Sequence, residues 1–389
     1  MLRPATSIVM VSPTASSGRS IVADTIGIPI ASRSRYALTS KIPINNLAEI
    51  YVSDSNDWNA NLGGAFGKAV PEDEYYHGWG PPGDALTETW YWGFNIPDAA
   101  INCFIYCWVH PNLDVVSTGL IIYQGIKRHH LAAELFDMPA YLKAGPVVGN
   151  GSRIVVPNGL TVEVAEPLRE MRLSYADAGR DTNCDIRLVA VDAPIMRANN
   201  LHFEQVMRAT GTLRLRGIDY AVDCFTVRDR SWGELRPESH NPVPPYNWVT
   251  GVFDEGKLAF NIGSHDDPAG DPEWTGKMIV DPAKIFKDGW VVRDGNQIRV
   301  VDAAKRVWRD SQALRPERFE IDLQEEGGRW SRIDGTVIAS VPGFHWPNIA
   351  THLALVQWEM DGMIGYGESQ DVQWNDYVYK CGQMSGGEM

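Results

Sequence analysis

The feature that most constrains this chain is a rhythm of short aromatic and β-branched runs broken by turn residues, which begins at Glu49 and continues almost to the C-terminus. ETWYWGFNI, CFIYCWV, VVSTGLIIYQG, SRIVVP, LTVEVAE and CDIRLVAV succeed one another, separated by clusters of Gly, Pro, Asn and Asp. Runs this short and evenly spaced specify strands, and many of them in succession specify a sandwich or a barrel. The expected class is therefore all-β, with two antiparallel barrel or sandwich domains packed together and few short helices. DPAKIF and the segment around Glu134 are the candidates for helical turns; neither holds a 3.6-residue period long enough for a packed helix. DAPIMRANN interrupts the rhythm near residue 195, which sets an expected boundary between Pro194 and Leu201. The organisation read from this is an arm (1–48), a first β domain (49–197) and a second (198–389). Within the second, GTLRLRG and IDYAVD alternate on either side of Gly217, the pattern of a hairpin. Further strands are expected at Phe253–Ile262, Lys277–Val280, Trp290–Arg293, Gln297–Val300, Phe319–Leu323, Gly335–Ser340 and Ala354–Met360.

At 389 residues the chain is long enough to bury two cores. Its net charge of -14 is scattered along the sequence, which argues against nucleic acid and anionic membrane surfaces as partners. No apolar stretch reaches the length of a membrane span, so membrane insertion is not expected, and the cytoplasm is the expected compartment. Five cysteines without CxxC spacing read as reduced and buried. Cys103 and Cys107, four apart in a strand, share a face and suit core packing better than a metal. The sequence contains no Walker loop, GxGxxG, GxSxG or HExxH, so neither a cofactor nor a metal is expected.

Candidate chemistry concentrates in Arg228-Asp229-Arg230-Ser231-Trp232-Gly233, with Glu234 and Arg236 just beyond. An Asp flanked by Arg stays ionised and anchors; an Asp facing an apolar cavity has its pKa raised and can donate a proton. A satisfied ion-pair network at a barrel end is the bland alternative. Upstream, alternation aims His202 and Glu204 to one face, a plausible proton-transfer pair or a solvated edge pair. In the first domain Glu88, Trp90 and Trp92 share a side, as core or as ligand box. Fourteen tryptophans exceed what core packing usually needs, which favours some of them lining a pocket. His345, Trp346, Tyr366, Glu368 and Asp371 are weaker candidates near the C-terminus.

ETWYWGF, then HFEQ, then RDRSWGELR and a late GYGE together resemble the superfamily of carotenoid 1,2-hydratases and their bacterial homologues, two-domain lipocalin-like (calycin) proteins. The resemblance covers roughly residues 75 to 380, and RDRSWG about two dozen residues after HFEQ is its most specific element. It implies two calycin-type barrels and acid–base chemistry on a terpenoid, steroid, polyketide or similar lipophile, since members include hydratases and pericyclic cyclases. Asp229, Arg230 and Trp232 are the positions it carries over. Many relatives have His where this chain has Arg230, and an Arg there can only orient or stabilise charge.

The leading expectation is a cofactor-independent lyase or isomerase acting on a small apolar substrate enclosed by the two domains. Asp229 donates a proton, His202 with Glu204 accepts or relays one, and Arg230 and Arg236 hold the Asp229 carboxylate. Trp90, Trp92 and Trp232 exclude water, with Glu88 and Tyr366 beside the substrate. A carrier or sensor of the same ligand is the second expectation. A carbohydrate-active protein is the third, with paired carboxylates such as Glu88 and Glu204 roughly 5 to 9.5 Å apart across an open groove and tryptophans as stacking platforms. Sequence leaves room for a homodimer.

Overall fold

The computed structural model describes residues 66–236, 244–267, 285–311, 313–343, 348–375 and 378. The arm, His345, Trp346, Cys381 and the strand expected at Lys277–Val280 lie outside them. Twelve strands form one antiparallel sheet: β1 (Leu86–Ile96), β2 (Ile101–His110), β3 (Val115–Gln124), β4 (Leu135–Asp137), β5 (Leu142–Lys143), β6 (Arg153–Val155), β7 (Thr161–Glu166), β8 (Glu170–Asp177), β9 (Thr182–Ala190), β10 (Ile195–Met196), β11 (His202–Leu215) and β12 (Ile218–Leu235). Their order is β4-β3-β2-β1-β12-β11-β9-β8-β7-β6, with β5 on β3 and β10 on β11. Eight more strands close into a barrel in chain order: β13 (Tyr246–Phe253), β14 (Leu258–His265), β15 (Phe286–Arg293), β16 (Asn296–Arg309), β17 (Pro316–Glu325), β18 (Trp330–Gly343), β19 (Ile349–Met360) and β20 (Met363–Trp374). The chain is thus all-β, with a closed barrel and a curled half-barrel, and no described helix is long and apolar enough to cross a membrane.

The hairpin centred on Gly217 forms as its sequence requires. Leu215 pairs with Ile218, and Arg216 and Gly217 between them have φ of 49° and 83°, the two positive values of a two-residue turn that matches strand twist. Where this hairpin belongs differs from expectation. Strand β11 pairs with β9 and β12 pairs with β1, so both complete the first sheet, and the passage to the barrel falls between Leu235 and Tyr246 instead of near residue 197. DAPIMRANN marks only a detour around the edge of β11, where β10 pairs. The strand expected over Phe253–Ile262 is likewise two strands, β13 and β14, with Asp254–Gly256 turning between them.

Burial explains why the central runs do not alternate. Strands β8 and β9 bury every second residue, one face only, whereas β2 is buried throughout and β1 at all but its last residue. Strands β1 and β2 lie between two cores. One core fills the curl of the half-barrel with Trp90, Trp92, Phe94, Ile105, Leu173, Ile186 and Met207, and the free thiols of Cys103, Cys107, Cys184 and Cys224 are buried in it. The other lies between the sheets, where Tyr91, Phe104, Tyr106, Trp108, Val206 and Val227 meet Trp248, Val252, Trp290, Leu353 and Leu355 of the barrel. A third core fills the closed barrel around Trp358, whose ring meets Phe260 edge-on at 5.3 Å and Phe319 at 5.5 Å. Backbone bonds also tie the sheets together, from Lys127 N–H to Ser340 O at 2.7 Å and from Ser340 N–H to Gly125 O at 3.1 Å.

Trp358 is fully buried at the centre of the barrel core. Trp358→Ala is expected to lower stability by about 3–5 kcal/mol in urea titration, since the cavity left by an indole adds to the lost transfer free energy.

Candidate active site

Strand β12 carries charge on both of its faces. Arg228 and Arg230 point into the half-barrel side. Arg228 forms a fork with Glu74, its Nη1 and Nη2 donating to Oε1 and Oε2 at 2.6 and 2.8 Å, and also donates to Gln205 Oε1. Arg230 is paired with Glu88, donates to the carbonyls of Tyr75, Thr89 and Ser231, and lies 3.9 Å over the Trp90 ring. Burial opposes the charge on Glu88, but Arg230 and the His77 and Gly78 N–H groups, at 2.9 Å each, outweigh it and hold the carboxyl below its ordinary range. Trp232 packs with Met196 and Phe203 and stacks on His77 at 4.3 Å. Apart from Arg230 Nε, which is buried without a hydrogen bond, these groups engage one another in a network that anchors β1 and the Pro71–Glu74 turn beneath β12.

Asp229 and Ser231, on the opposite face, look toward the barrel. Opposite Asp229 stands Glu204, and opposite Ser231 stands His202, so the register of β11 on β12 gathers all four. His202 Nε2 bonds to Asp229 and lies 3.4 Å from Glu204 Oε1. Its Nδ1 lies 3.6 Å from Glu234 Oε1. Strict alternation would turn Glu234 to the Arg230 side. A bulge prevents this: Thr89 pairs with Ser231 but Thr87 with Glu234, and Gly233 takes φ of 68°, re-aiming Glu234 toward His202. Arg236 closes this end, bonding Glu234 Oε2 at 2.6 Å and Ser231 Oγ at 3.0 Å. At the other end Arg197 bridges the sheets, its Nη2 on Glu204 at 2.7 Å and its Nε 2.6 Å from Asp288 of β15. Trp290 of the same strand donates to Glu204 Oε2 at 3.4 Å.

Three cations, Arg197, His202 and Arg236, thus face four carboxyls, Glu204, Asp229, Glu234 and Asp288. Burial disfavours a charged His202, and so does Arg197. Asp229 and Glu204 overcome both and raise its pKa to about 9, so the ring is an imidazolium at neutral pH. Burial raises Asp288 despite Arg197 beside it, whereas for Glu234 burial is outweighed by Arg236 and His202 and the carboxyl is lowered. His202, Glu204 and Asp229 also present one ligand atom each within 4.8 Å of one another, the spacing of a metal site. Arg197 and the imidazolium already supply positive charge there, and a cation would have to displace both bonds.

The structure brings together His202, Glu204, Asp229 and Arg236 of the expected residues, and sets Tyr366 in the same inter-sheet core. It separates Glu88, Trp90, Trp92, Arg230 and Trp232 from them, because neighbours along a strand point to opposite faces. Arg230 therefore holds Glu88 instead of Asp229, and the three tryptophans do not screen the ion cluster. Glu88 and Glu204 do not face each other, which removes the geometry of the glycan reading. Arg197 and Asp288 escaped the sequence reading. Arg197 stands in the very segment that broke the strand rhythm.

An open antiparallel sheet packed on a closed eight-stranded barrel, with an ion cluster sealed between them, defines the class of this protein. The chain belongs to the family described as a domain of unknown function, DUF7064, whose model matches residues 70–377, nearly the same stretch as the resemblance read from the sequence. Similar solved structures include CghA with Sch210972, at 10% identity and TM-score 0.49, the match covering 75% of this chain and 89% of that one. CghA alone gives 11% identity and TM-score 0.48 over the same shares. Kievitone hydratase from Nectria haematococca gives 10% and 0.47, covering 82% of this chain and 98% of that one. No curated protein matches in sequence.

The charges set two expected outcomes. Because the folded pKa of His202 lies above its ordinary 6.5, its contribution is complete below about pH 6.5 and is lost as pH rises through about 9. Stability measured by urea titration is expected to fall by on the order of 3 kcal/mol across that window, with a flatter profile in His202→Gln. Glu88→Gln leaves Arg230 buried without its counter-charge and is expected to cost about 3–5 kcal/mol in the same assay.

Proposed function

We propose that this chain is an acid–base enzyme of the lyase or isomerase kind, working without a cofactor on a small, largely apolar molecule held between the two sheets. The observation that carries this reading is the His202 imidazolium, sealed among carboxylates at the edge of an otherwise aromatic and aliphatic inter-sheet face. A purely structural interface gains little from such a group, since a well-packed apolar cluster is commonly as stable as a buried ionic one. A proton donor and an acceptor within one hydrogen bond of each other are what proton transfer requires.

The roles come from the geometry and reverse one expectation. Asp229 accepts the hydrogen bond of a charged His202, so His202 is the donor and Asp229 the acceptor. In a dehydration, His202 delivers its proton to a hydroxyl oxygen. The C–O bond breaks with its electron pair on that oxygen, and water leaves. Asp229 or Glu204 takes the proton from the neighbouring carbon, whose C–H electrons become the new double bond. Hydration is the reverse, and a double-bond shift uses the same pair at two carbons. Arg197 and Arg236 keep the carboxylates in place, and the rings of Trp290 and Tyr106 limit water.

Native mass spectrometry of protein purified from its own host, with subsequent denaturing extraction, identifies the molecule that co-purifies. A lipophile bearing a hydroxyl or an alkene is expected. Its turnover should fall about 10²-fold or more in His202→Gln and in Asp229→Asn, with binding retained. Full turnover in both variants, or a sugar as the only bound molecule, overturns the reading; binding without turnover in every variant makes the protein a carrier.

A further inference from the structure

The inter-sheet face holds a second polar corner, on the far side of Tyr91 from the ion cluster. Tyr91 of β1 is the register partner of Asp229, so its side chain stands beside that carboxylate on the same face. Its hydroxyl donates to Glu368 Oε2. Its ring meets Trp248 edge-on, with centroids 5.5 Å apart. Glu368 lies on β20 opposite Leu355, within the apolar surface that the barrel turns toward the half-barrel. Trp248 of β13 stands opposite Gln370, one diagonal step from Glu368 on the same face.

Two atoms in this corner have no partner among the described residues. Glu368 Oε1 and Trp248 Nε1 are both buried and both without a hydrogen bond. Each such group costs free energy unless something else engages it. No cation among the described residues is paired with Glu368, and burial raises its carboxyl pKa well above the ordinary value, which favours the acid form. In the acid form, with Oε2 accepting from Tyr91, the proton sits on Oε1, the oxygen that lacks a partner. The corner therefore offers two donors, an O–H and an indole N–H, and no described acceptor for either.

We propose that Glu368 and Trp248 form a two-donor receptor for one oxygen of the ligand, a carbonyl or a hydroxyl, fixing the ligand's distance from His202 and Asp229. This deepens the function proposed above and rests on it for the identity of the reacting end. The receptor itself is a binding element, and its donors polarise a carbonyl oxygen held there. The ligand class narrows accordingly, to an apolar body with one oxygen placed to reach this corner while another part of the molecule reaches His202.

A matched pair of probes tests this without knowledge of the natural ligand. 2-Acetylnaphthalene and 2-ethylnaphthalene have nearly the same shape and differ in one carbonyl. The full-length protein is expected to bind the ketone about tenfold more tightly by calorimetry, the effect of two modest hydrogen bonds. The preference should fall by about half on a logarithmic scale in Glu368→Leu and in Trp248→Phe, vanish in the double variant, and persist in Asp229→Asn even where turnover is lost. Infrared spectroscopy gives a second readout: the carbonyl band of an un-ionised carboxylic acid, present in the native protein and removed by Glu368→Gln. Absence of that band, or a ketone preference unchanged in Glu368→Leu, overturns the receptor. Loss of turnover in Glu368→Leu with the preference intact would also overturn it, while leaving the His202 reading standing.

Discussion

Two guanidinium groups buried beneath one strand decide which way this molecule faces. Arg228 and Arg230 enter the half-barrel side because Glu74 and Glu88 meet them there with opposite charge and with hydrogen bonds, forked in the case of Arg228. With residues 228 and 230 turned inward, strand geometry forces Asp229 and Ser231 outward toward the barrel. Removing either carboxylate would leave a buried cation without a counter-charge, which is far more costly than the pair itself. Pairing of β11 then adds His202 and Glu204 opposite, so the centre of the ion cluster is assembled by strand register, with Arg197 added from the segment between β10 and β11.

That dependence also sets how much could be read in advance. The all-β class, the hairpin at Gly217 and the shared face of His202 and Glu204 were legible, because each rests on local periodicity or on local turn chemistry. The grouping of Asp229 with Arg230 and Trp232 was not sound, since adjacency in sequence is opposition in a strand. What decides the matter is long-range: which face of β12 meets another sheet depends on Glu74 and Glu88, more than 100 positions away. Arg197 and Asp288 were invisible for a similar reason, as each gains meaning only when the barrel docks on the half-barrel. In β1 and β2, ETWYWGF and CFIYCWV conceal their alternation because both faces are buried, so aromatic content identified the strands and said nothing of which residues face the site.

The bulge at Gly233 shows how little backbone change is needed to alter the chemistry. One extra residue on β12 moves Glu234 from the Arg230 face to the face that carries His202, and supplies the third carboxylate around that ring. Without it the imidazolium would have one fewer counter-charge in a setting where burial already opposes it. The two faces of β12 are then distinct: Arg228, Arg230 and Trp232 on one side tie the sheet to Glu74, Glu88 and His77, while Asp229 and Glu234 on the other surround His202.

The bond between Thr89 Oγ1 and Ser231 Oγ, 2.7 Å long, spans 142 residues of sequence. Strands β1 and β12 are neighbours in space but stand at the two ends of the first sheet's sequence, so β1 waits for its partner while the intervening strands are made. Closing so long a loop is slow compared with forming the local hairpins within it. During synthesis the edge of β1, a strand buried on both faces in the finished fold, therefore stays open until Leu235 has emerged. The last hairpin of the sheet both seals that edge and brings His202, Glu204 and Asp229 together, so the centre of the ion cluster forms in the same event that ends the exposure of β1, and docking of the barrel then adds Asp288.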